Sequence, residues 1–319
     1  MSKKLIILGG NPETGVLVDI AVSMGVHTIV IDPNPSAPAK KNATESYDID
    51  GFDVDKIVKL AKEKEVNGVL VRVADILVKP YREICIKLGF PCYATEKAVE
   101  AFCSKDGYKK YCAEHGVQDI PGIYLTKNDR VRKPKGLELP LMVKPVDSGG
   151  GVGMKICRDE DDYNSTVEKA LKFSKKGVVL VEKYMDENCD DMCAYYTFKD
   201  GIPYLSATFD RTLTRKQGDS SPIALGIKYP SKYTKSFIDK VHPKLSELFK
   251  STNVETGIIN IQFFVENNEF YSYDPGFRLQ GEAPHIHLLH INDFDHRKML
   301  INYALTGVFG EQDFAQKND

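Results

Sequence analysis

Pro140-Leu141-Met142-Val143-Lys144-Pro145-Val146-Asp147-Ser148-Gly149-Gly150-Gly151-Val152-Gly153-Met154 is the stretch on which the fold turns. A short apolar run of strand character closes on a lysine, and a serine and a glycine cluster follow within a few residues. Glycines let the backbone adopt positive φ and bring its N–H groups close to an anion, while a nearby lysine adds a point charge. Together these suit a triphosphate. The order is not that of a P-loop, because Lys144 precedes the glycines and no helix-opening Gly-Lys-Ser/Thr follows. A flexible turn is the plainer reading of the same residues.

Toward the N-terminus, residues 5–8 form an apolar run ending in Gly9-Gly10-Asn11, residues 13–24 have helical spacing, and residues 27–31 make a second β-branched run stopping at Asp32-Pro33. This is a βαβ pattern. Residues 54–64 read as a helix, 68–73 as a strand and 79–88 as a helix closed by Gly89, so a parallel sheet covered by helices is expected over residues 1–94. Gly9-Gly10-Asn11 with Asp32 resembles a dinucleotide turn but lacks its GxGxxG spacing. Residues 95–101 and 104–114 predict two helices in tandem, the second capped by Ser104 and stopped at Gly116.

Toward the C-terminus the pattern becomes antiparallel. Strands are expected at 178–182, 192–198, 204–209, 258–265 and 270–273, with turns at Asp200-Gly201 and Asn267-Asn268 and helices at 159–174 and 232–250. No internal repeat is visible. Lys plus Arg number 43 against 45 Asp plus Glu, so no global field attracts nucleic acid or an anionic membrane. No apolar run reaches 18 residues, and Met1-Ser2-Lys3-Lys4 passes directly into a strand without a cleavage-site pattern, so a cytoplasmic protein is expected. The seven cysteines are scattered without a CxxC pair and read as reduced thiols.

Two further segments carry chemistry. Residues 178–185 (VVLVEKYM) form an apolar strand ending in Glu182-Lys183-Tyr184-Met185, and a strand running out into a linker offers an adenine ring both flat apolar walls and backbone donors and acceptors. A buried strand with a solvated Glu182 is the alternative. Asp190 and Asp191 follow, able to accept from ribose hydroxyls or to face water. Residues 257–264 and 271–278 then read as adjacent antiparallel strands. They can set Gln262 and Asp274 on one face as hard oxygen ligands for magnesium, with Arg278 just beyond to clamp a phosphoryl group or a carboxylate. Arg211 could pair with a substrate carboxylate or belong to a solvated loop, and residues 278–287 crowd polar groups beside the same strand. His285, His287 and His290 lack a matched fourth ligand and read as surface or packing histidines.

The order of these parts resembles the ATP-grasp superfamily over nearly the whole chain. The resemblance implies a Rossmann-like preATP-grasp domain (1–94), then an ATP-grasp fold of two α+β subdomains. The first (95–186) would carry the lysines, lid and adenine hinge, and the second (187–319) the metal and substrate site. SKDGYKKYCAEHGVQDIPG is similar to the family's entry helix, which makes Lys105 the first phosphate-binding lysine and Lys144 in LMVKP the second. Ser148, Gly149, Gly150 and Gly151 resemble the mobile lid. VLVEKYM resembles the adenine hinge of biotin carboxylase, implying Glu182, Lys183, Tyr184 and Met185 around the base and Asp190 near the ribose. INIQF resembles the large subunit of carbamoyl phosphate synthetase and implies Gln262 as a metal ligand beside Asp274.

The implied activity is that of an ATP-dependent ligase. It would use ATP and magnesium (or manganese) to activate a carboxylate as an acyl phosphate for attack by an amine, with Lys144 and Arg278 catalytic and Arg211, Arg278 and Glu282 toward the substrate. The implied partners are small carboxylates and amines, with a homodimer or a separate partner subunit also open. One departure stands out. Where the family commonly reads Glu-x-Asn-Pro-Arg, this chain has Asp274-Pro275-Gly276-Phe277-Arg278. Position 276 therefore offers no side-chain oxygen where an Asn holds a second magnesium, and Glu282 or water is left to fill the gap. A non-catalytic ATP-binding protein serving as a sensor or partner subunit is the alternative that this departure raises.

Overall fold

The computed structural model describes residues 2–129, 133, 135–148, 151–185, 188–214, 224–281 and 284–310. Of the expected site residues, Gly149, Gly150 and Glu282 lie outside the described residues.

The N-terminal region is a four-stranded parallel sheet of β1 (Lys4–Leu8), β2 (His27–Ile31), β3 (Glu45–Tyr47) and β4 (Gly68–Val71), in the order β3-β2-β1-β4. It is covered by α1 (Pro12–Ser23), α2 (Val54–Glu63) and α3 (Val78–Leu88). After Lys4, strands β1 and β4 are apolar and buried because helices cover both faces. Asn11 caps α1, its Oδ1 accepting from Thr14 N at 2.8 Å. Gly89 closes α3 in the left-handed conformation (φ 68°).

Two helices, α4 (Glu96–Phe102) and α5 (Lys105–Glu114), lead into a second four-stranded sheet. It comprises β5 (Gly122–Thr126), β6 (Leu141–Pro145), β7 (Lys155–Cys157) and β8 (Val178–Lys183), ordered β5-β8-β6-β7 and backed by α6 (Tyr163–Phe173). Ser104 caps α5 as expected, accepting from Gly107 N at 3.1 Å. Side-chain alternation sorts this sheet cleanly. Leu141, Val143, Val179 and Val181 pack with α6 into a small separate core, while Met142, Lys144, Leu180 and Glu182 point the other way into a cleft.

The third sheet is antiparallel and five-stranded: β9 (Asp190–Lys199), β10 (Ile202–Leu213), β11 (Ala224–Lys228), β12 (Gly257–Glu266) and β13 (Glu269–Gly276), ordered β11-β10-β9-β12-β13. Asn267 and Asn268, both at positive φ, make the tight turn between β12 and β13. Residues 232–250, expected as one helix, form two, α7 (Thr234–Lys240) and α8 (His242–Ser251). Pro243 lacks an N–H, so it opens a new helix rather than continuing the old one.

After α9 (Pro284–Asn292), α10 (His296–Thr306) returns to pack on β4 and α1. The N-terminal sheet, α4, α5, the third sheet and α10 thereby share one continuous core. The tandem helices expected to open the middle subdomain at residue 95 belong to this large core, and the second sheet stands off it across the cleft.

Candidate active site

The second sheet and the β12–β13 hairpin face each other across a cleft of about 720 Å³. One end is apolar: Ile120, Met185 and Phe264 cluster there, with Phe264 stacked on Tyr273 at 4.3 Å between ring centroids, while Met142 and Leu180 line the β6–β8 wall beside Glu182 and Lys144. The other end is charged, with Lys105, Lys144, Asp75, Gln262 and Asp274. A nucleotide has this shape, an apolar disc joined to a polyanion.

Glu182 at the end of β8 is not solvated. It is 2% exposed and contacts Lys144 Nζ through Oε1, with Lys109 Nζ 3.8 Å from Oε2. Lys109 in turn meets Asp119 and donates to Ile120 O at 2.6 Å. Lys105 Nζ lies one helical turn before Lys109, 3.4 Å from the carbonyls of Pro145 and Ser148. Burial, and next the neighbouring charge of Lys144, lower the Lys105 pKa; Asp274 and Glu182 oppose this. An arriving anion would relieve that strain on the charged form.

The loop after β6 is tied at its ends. Asp147 accepts from Ser174 Oγ at 2.7 Å and Lys176 N at 2.8 Å, and Ser148 Oγ donates to Phe173 O at 3.2 Å. Gly153 has φ 75°, and a Cβ there would lie 2.7 Å from Phe173 Cβ and 2.8 Å from Pro145 Cγ, so only glycine fits. Gly151 lines the cleft.

On the hairpin, Gln262 and Asp274 are paired across β12 and β13 and both line the cleft. Asp274 is open to water in the cleft, yet the protein closing around it raises its pKa, and Asp75 adds to the rise; Arg278, Lys144 and Lys105 pull the other way. Two hard oxygen donors on adjacent strands, one of them a carboxylate, fit a divalent cation that takes its remaining ligands from phosphates and water. Among the described residues no cluster of three His, Cys, Asp or Glu side chains forms a separate metal site.

Several expected site residues sit differently. Asp190, expected near the ribose, is not among the residues lining the cleft. It is engaged by Tyr233 and by Lys232 Nζ at 2.7 Å. Lys183 reaches the cleft rim, but its ammonium turns to Glu266 at 2.6 Å. Tyr184 and Met185 follow as the strand leaves the sheet, Tyr184 N donating to Pro140 O at 3.2 Å. Arg211, offered to a substrate carboxylate, lines the cleft with its guanidinium engaged: Nη1 donates to Asp191 Oδ1 at 3.0 Å and to Tyr273 Oη at 2.9 Å.

Arg278 lies just beyond, in an adjoining pocket of about 440 Å³ that it shares with Asn11, Glu13, Val73, Gln280 and Gly281, and Gln262 borders both spaces. Its Nη2 donates to Asp75 Oδ2 at 2.7 Å. Burial alone would lower the Arg278 pKa; the Asp75 carboxylate more than offsets that and raises it.

Sequence reasoning missed Lys109, Asp75 and Asp119. Lys109 was legible from its i,i+4 spacing to Lys105 on α5. Asp75 comes from the distant turn after β4 and carried no local signal.

Residues 105–192 match the family described as "Carbamoyl-phosphate synthase L chain, ATP binding domain". Over 312 residues the chain is 24% identical to the carbamoyl phosphate synthase large chain, C-terminal section, of Aquifex aeolicus, covering 90% of this chain and 55% of that protein. Phosphoribosylglycinamide synthetase from Anaerococcus prevotii superposes with a TM-score of 0.75 at 17% identity over 98% of this chain and 78% of the other. The chain has the ATP-grasp fold. N5-carboxyaminoimidazole synthetase from Staphylococcus aureus, solved with ADP, superposes with a TM-score of 0.75 at 15% identity over 99% of this chain and 80% of the other. Among the described residues no helix is long and apolar enough to cross a membrane.

Proposed function

We propose that the chain is an ATP-dependent carboxylate–amine ligase. The observation that supports it most is that one cleft joins the apolar cluster of Ile120, Met185 and Phe264 to Lys105, Lys144, Gln262 and Asp274, and continues past Gln262 to a second pocket holding Arg278. Adenine packs among Met142, Leu180, Met185 and Phe264, and the phosphates extend toward the lysines. Gln262 and Asp274 hold magnesium, or manganese in its place, which when bound neutralises charge on the phosphate oxygens.

A carboxylate in the adjoining pocket attacks the γ-phosphorus. The bond to the ADP oxygen breaks, and an acyl phosphate and ADP result. An amine then attacks the acyl carbon, phosphate leaves, and the nitrogen loses a proton. Lys105 and Lys144 orient the triphosphate, and Arg278, fixed by Asp75, faces the carboxylate and the phosphoryl oxygens. The pocket meets the carboxyl ends of β1 and β4 through Asn11, Glu13 and Val73, where open parallel sheets commonly take ligands.

The test is ADP and phosphate release with pooled amino acids, dipeptides and small carboxylic acids, with Lys144→Ala as control. Release that needs both a carboxylate and an amine, and is lost in the control, supports the ligase. ATP binding with no release under any pair supports instead a non-catalytic sensor or partner subunit, a reading that the missing oxygen at Gly276 favours.

A further inference from the structure

The gap at position 276 is not empty space. Gly276 pairs with Asn260 across the hairpin, two residues along from the Gln262–Asp274 pair, so all four positions share the face turned to the cleft. A Cβ added at Gly276 would lie 2.6 Å from Asn260 Nδ2, 3.0 Å from Asn260 Oδ1 and 3.1 Å from Arg278 Nη1. The Asn260 amide already fills the volume into which a side chain at 276 would grow, so a larger residue there would have to displace the ends of the Asn260 and Arg278 side chains.

That amide is held in one orientation. Asn260 is 2% exposed, and its Nδ2 donates to Gly276 O at 3.0 Å; turning the amide over would set two oxygens against each other. Its Oδ1 is then the free end, and among the described residues it accepts no hydrogen bond. Asn260 Oδ1 is not one of the fully buried atoms that lack a partner, so it keeps contact with solvent, and a carboxamide oxygen so placed is open to a donor or a cation. Asn260 thus brings a carboxamide to the same place from the neighbouring strand.

We propose that Asn260 replaces the side chain absent at Gly276, presenting its Oδ1 to the divalent cation held by Gln262 and Asp274 on a bound nucleotide. The inference rests on the metal–nucleotide reading of the cleft and adds an exchange of ligand between strands. In this chain a glycine on β13 and an asparagine on β12 do together what one asparagine on β13 would do alone.

The exchange can be made in reverse. The probes are ADP, measured by calorimetry with metal removed by EDTA, and Mn²⁺, measured by paramagnetic resonance at saturating ADP. Asn260→Ala is expected to weaken Mn²⁺ binding about tenfold or more while metal-free ADP affinity stays within about twofold, and Asn260→Ala/Gly276→Asn to return Mn²⁺ affinity to within about threefold of wild type. Asn260→Asp, which keeps the shape and adds charge, is expected to bind Mn²⁺ at least as tightly as wild type.

Undiminished Mn²⁺ binding by Asn260→Ala overturns the proposal. So does weakened binding that neither Asn260→Asp nor the double variant restores, because the effect then comes from packing alone. A wild-type chain that fails to bind ADP at all overturns the nucleotide reading itself, and this proposal with it. Wild-type ADP binding with an unaffected Asn260→Ala overturns only the exchange.

Discussion

Glu182→Gln isolates the charge balance on which the cleft depends. The substitution keeps the side chain's shape but removes the one carboxylate that faces both Lys144 and Lys109. Lys109 retains Asp119, so Lys144, whose side chain is 12% exposed, bears most of the loss. Breaking a buried pair by removing one partner costs about 3–5 kcal/mol, and the water still reaching Lys144 places this case near about 3 kcal/mol. For a chain of this size that lowers the melting midpoint by roughly 4–5 °C.

The same change leaves the phosphate end one charge more positive. At an effective dielectric of about 20, a unit charge roughly 8 Å from a bound anion is worth about 2 kcal/mol. Tripolyphosphate should therefore raise the variant's melting midpoint more than the wild type's, by roughly 3 °C. Scanning fluorimetry with and without tripolyphosphate measures both effects. A variant that melts with wild type, or one that is destabilised but gains nothing extra from the anion, refutes the view that Glu182 holds a lysine poised for phosphate.

Three further outcomes are expected. Lys105→Met should weaken ATP by at least about tenfold, ~1.4 kcal/mol, and leave adenosine affinity unchanged, since only the phosphates reach that ammonium; calorimetry with both ligands decides it. Gly153→Ala should lower stability by about 2 kcal/mol or more, through its positive φ and the contact with Phe173, with a urea midpoint equal to wild type as the contrary result. Burial pushes the pKa of His285 down to about 4 and that of His296 down to about 3, from an ordinary 6.5. Because the unfolded chain binds the extra protons first, stability is full above pH 6.5 and falls as pH drops through the window below it. The two rings together lose about 4 kcal/mol by pH 5, a slope that denaturation at several pH values should show and that His296→Asn should roughly halve.

Much of the frame was readable from local pattern. The apolar runs at residues 141–144 and 178–182, the Ser104 cap, the Gly89 and Gly116 stops and the two-Asn turn at 267–268 each act within a few residues, so a linear reading captures them. Gln262 and Asp274 were set on one face by hairpin register alone. What escaped was decided by neighbours distant in sequence. Asp190 looks like a ribose acceptor until Lys232 and Tyr233 arrive on it, and Glu182 looks solvated until Lys109 and Lys144 converge from α5 and β6. Asp75 meets Arg278 across 203 positions of chain. The split of residues 232–250 was within reach, since Pro243 stands in plain view.

The placement of charge also explains why the chain takes the form of two halves around a cleft rather than one fused core. Lys105, Lys109 and Lys144 could not share a dry interior with Asp119, Glu182 and Asp274 without large desolvation costs, and along a water-filled cleft those costs are moderate. The second sheet, with its own small core against α6, can stand off the large core without exposing apolar surface there. Its cleft face therefore carries Met142 and Leu180 beside Lys144 and Glu182, residues suited to a ligand rather than to a permanent protein partner. Glu182 neutralises Lys144 in the meantime, and Asp75 does the same for Arg278 from the N-terminal sheet. Each cation is thus held in position by a carboxylate on a different element, so the cleft is charged in the right places before any polyanion enters it.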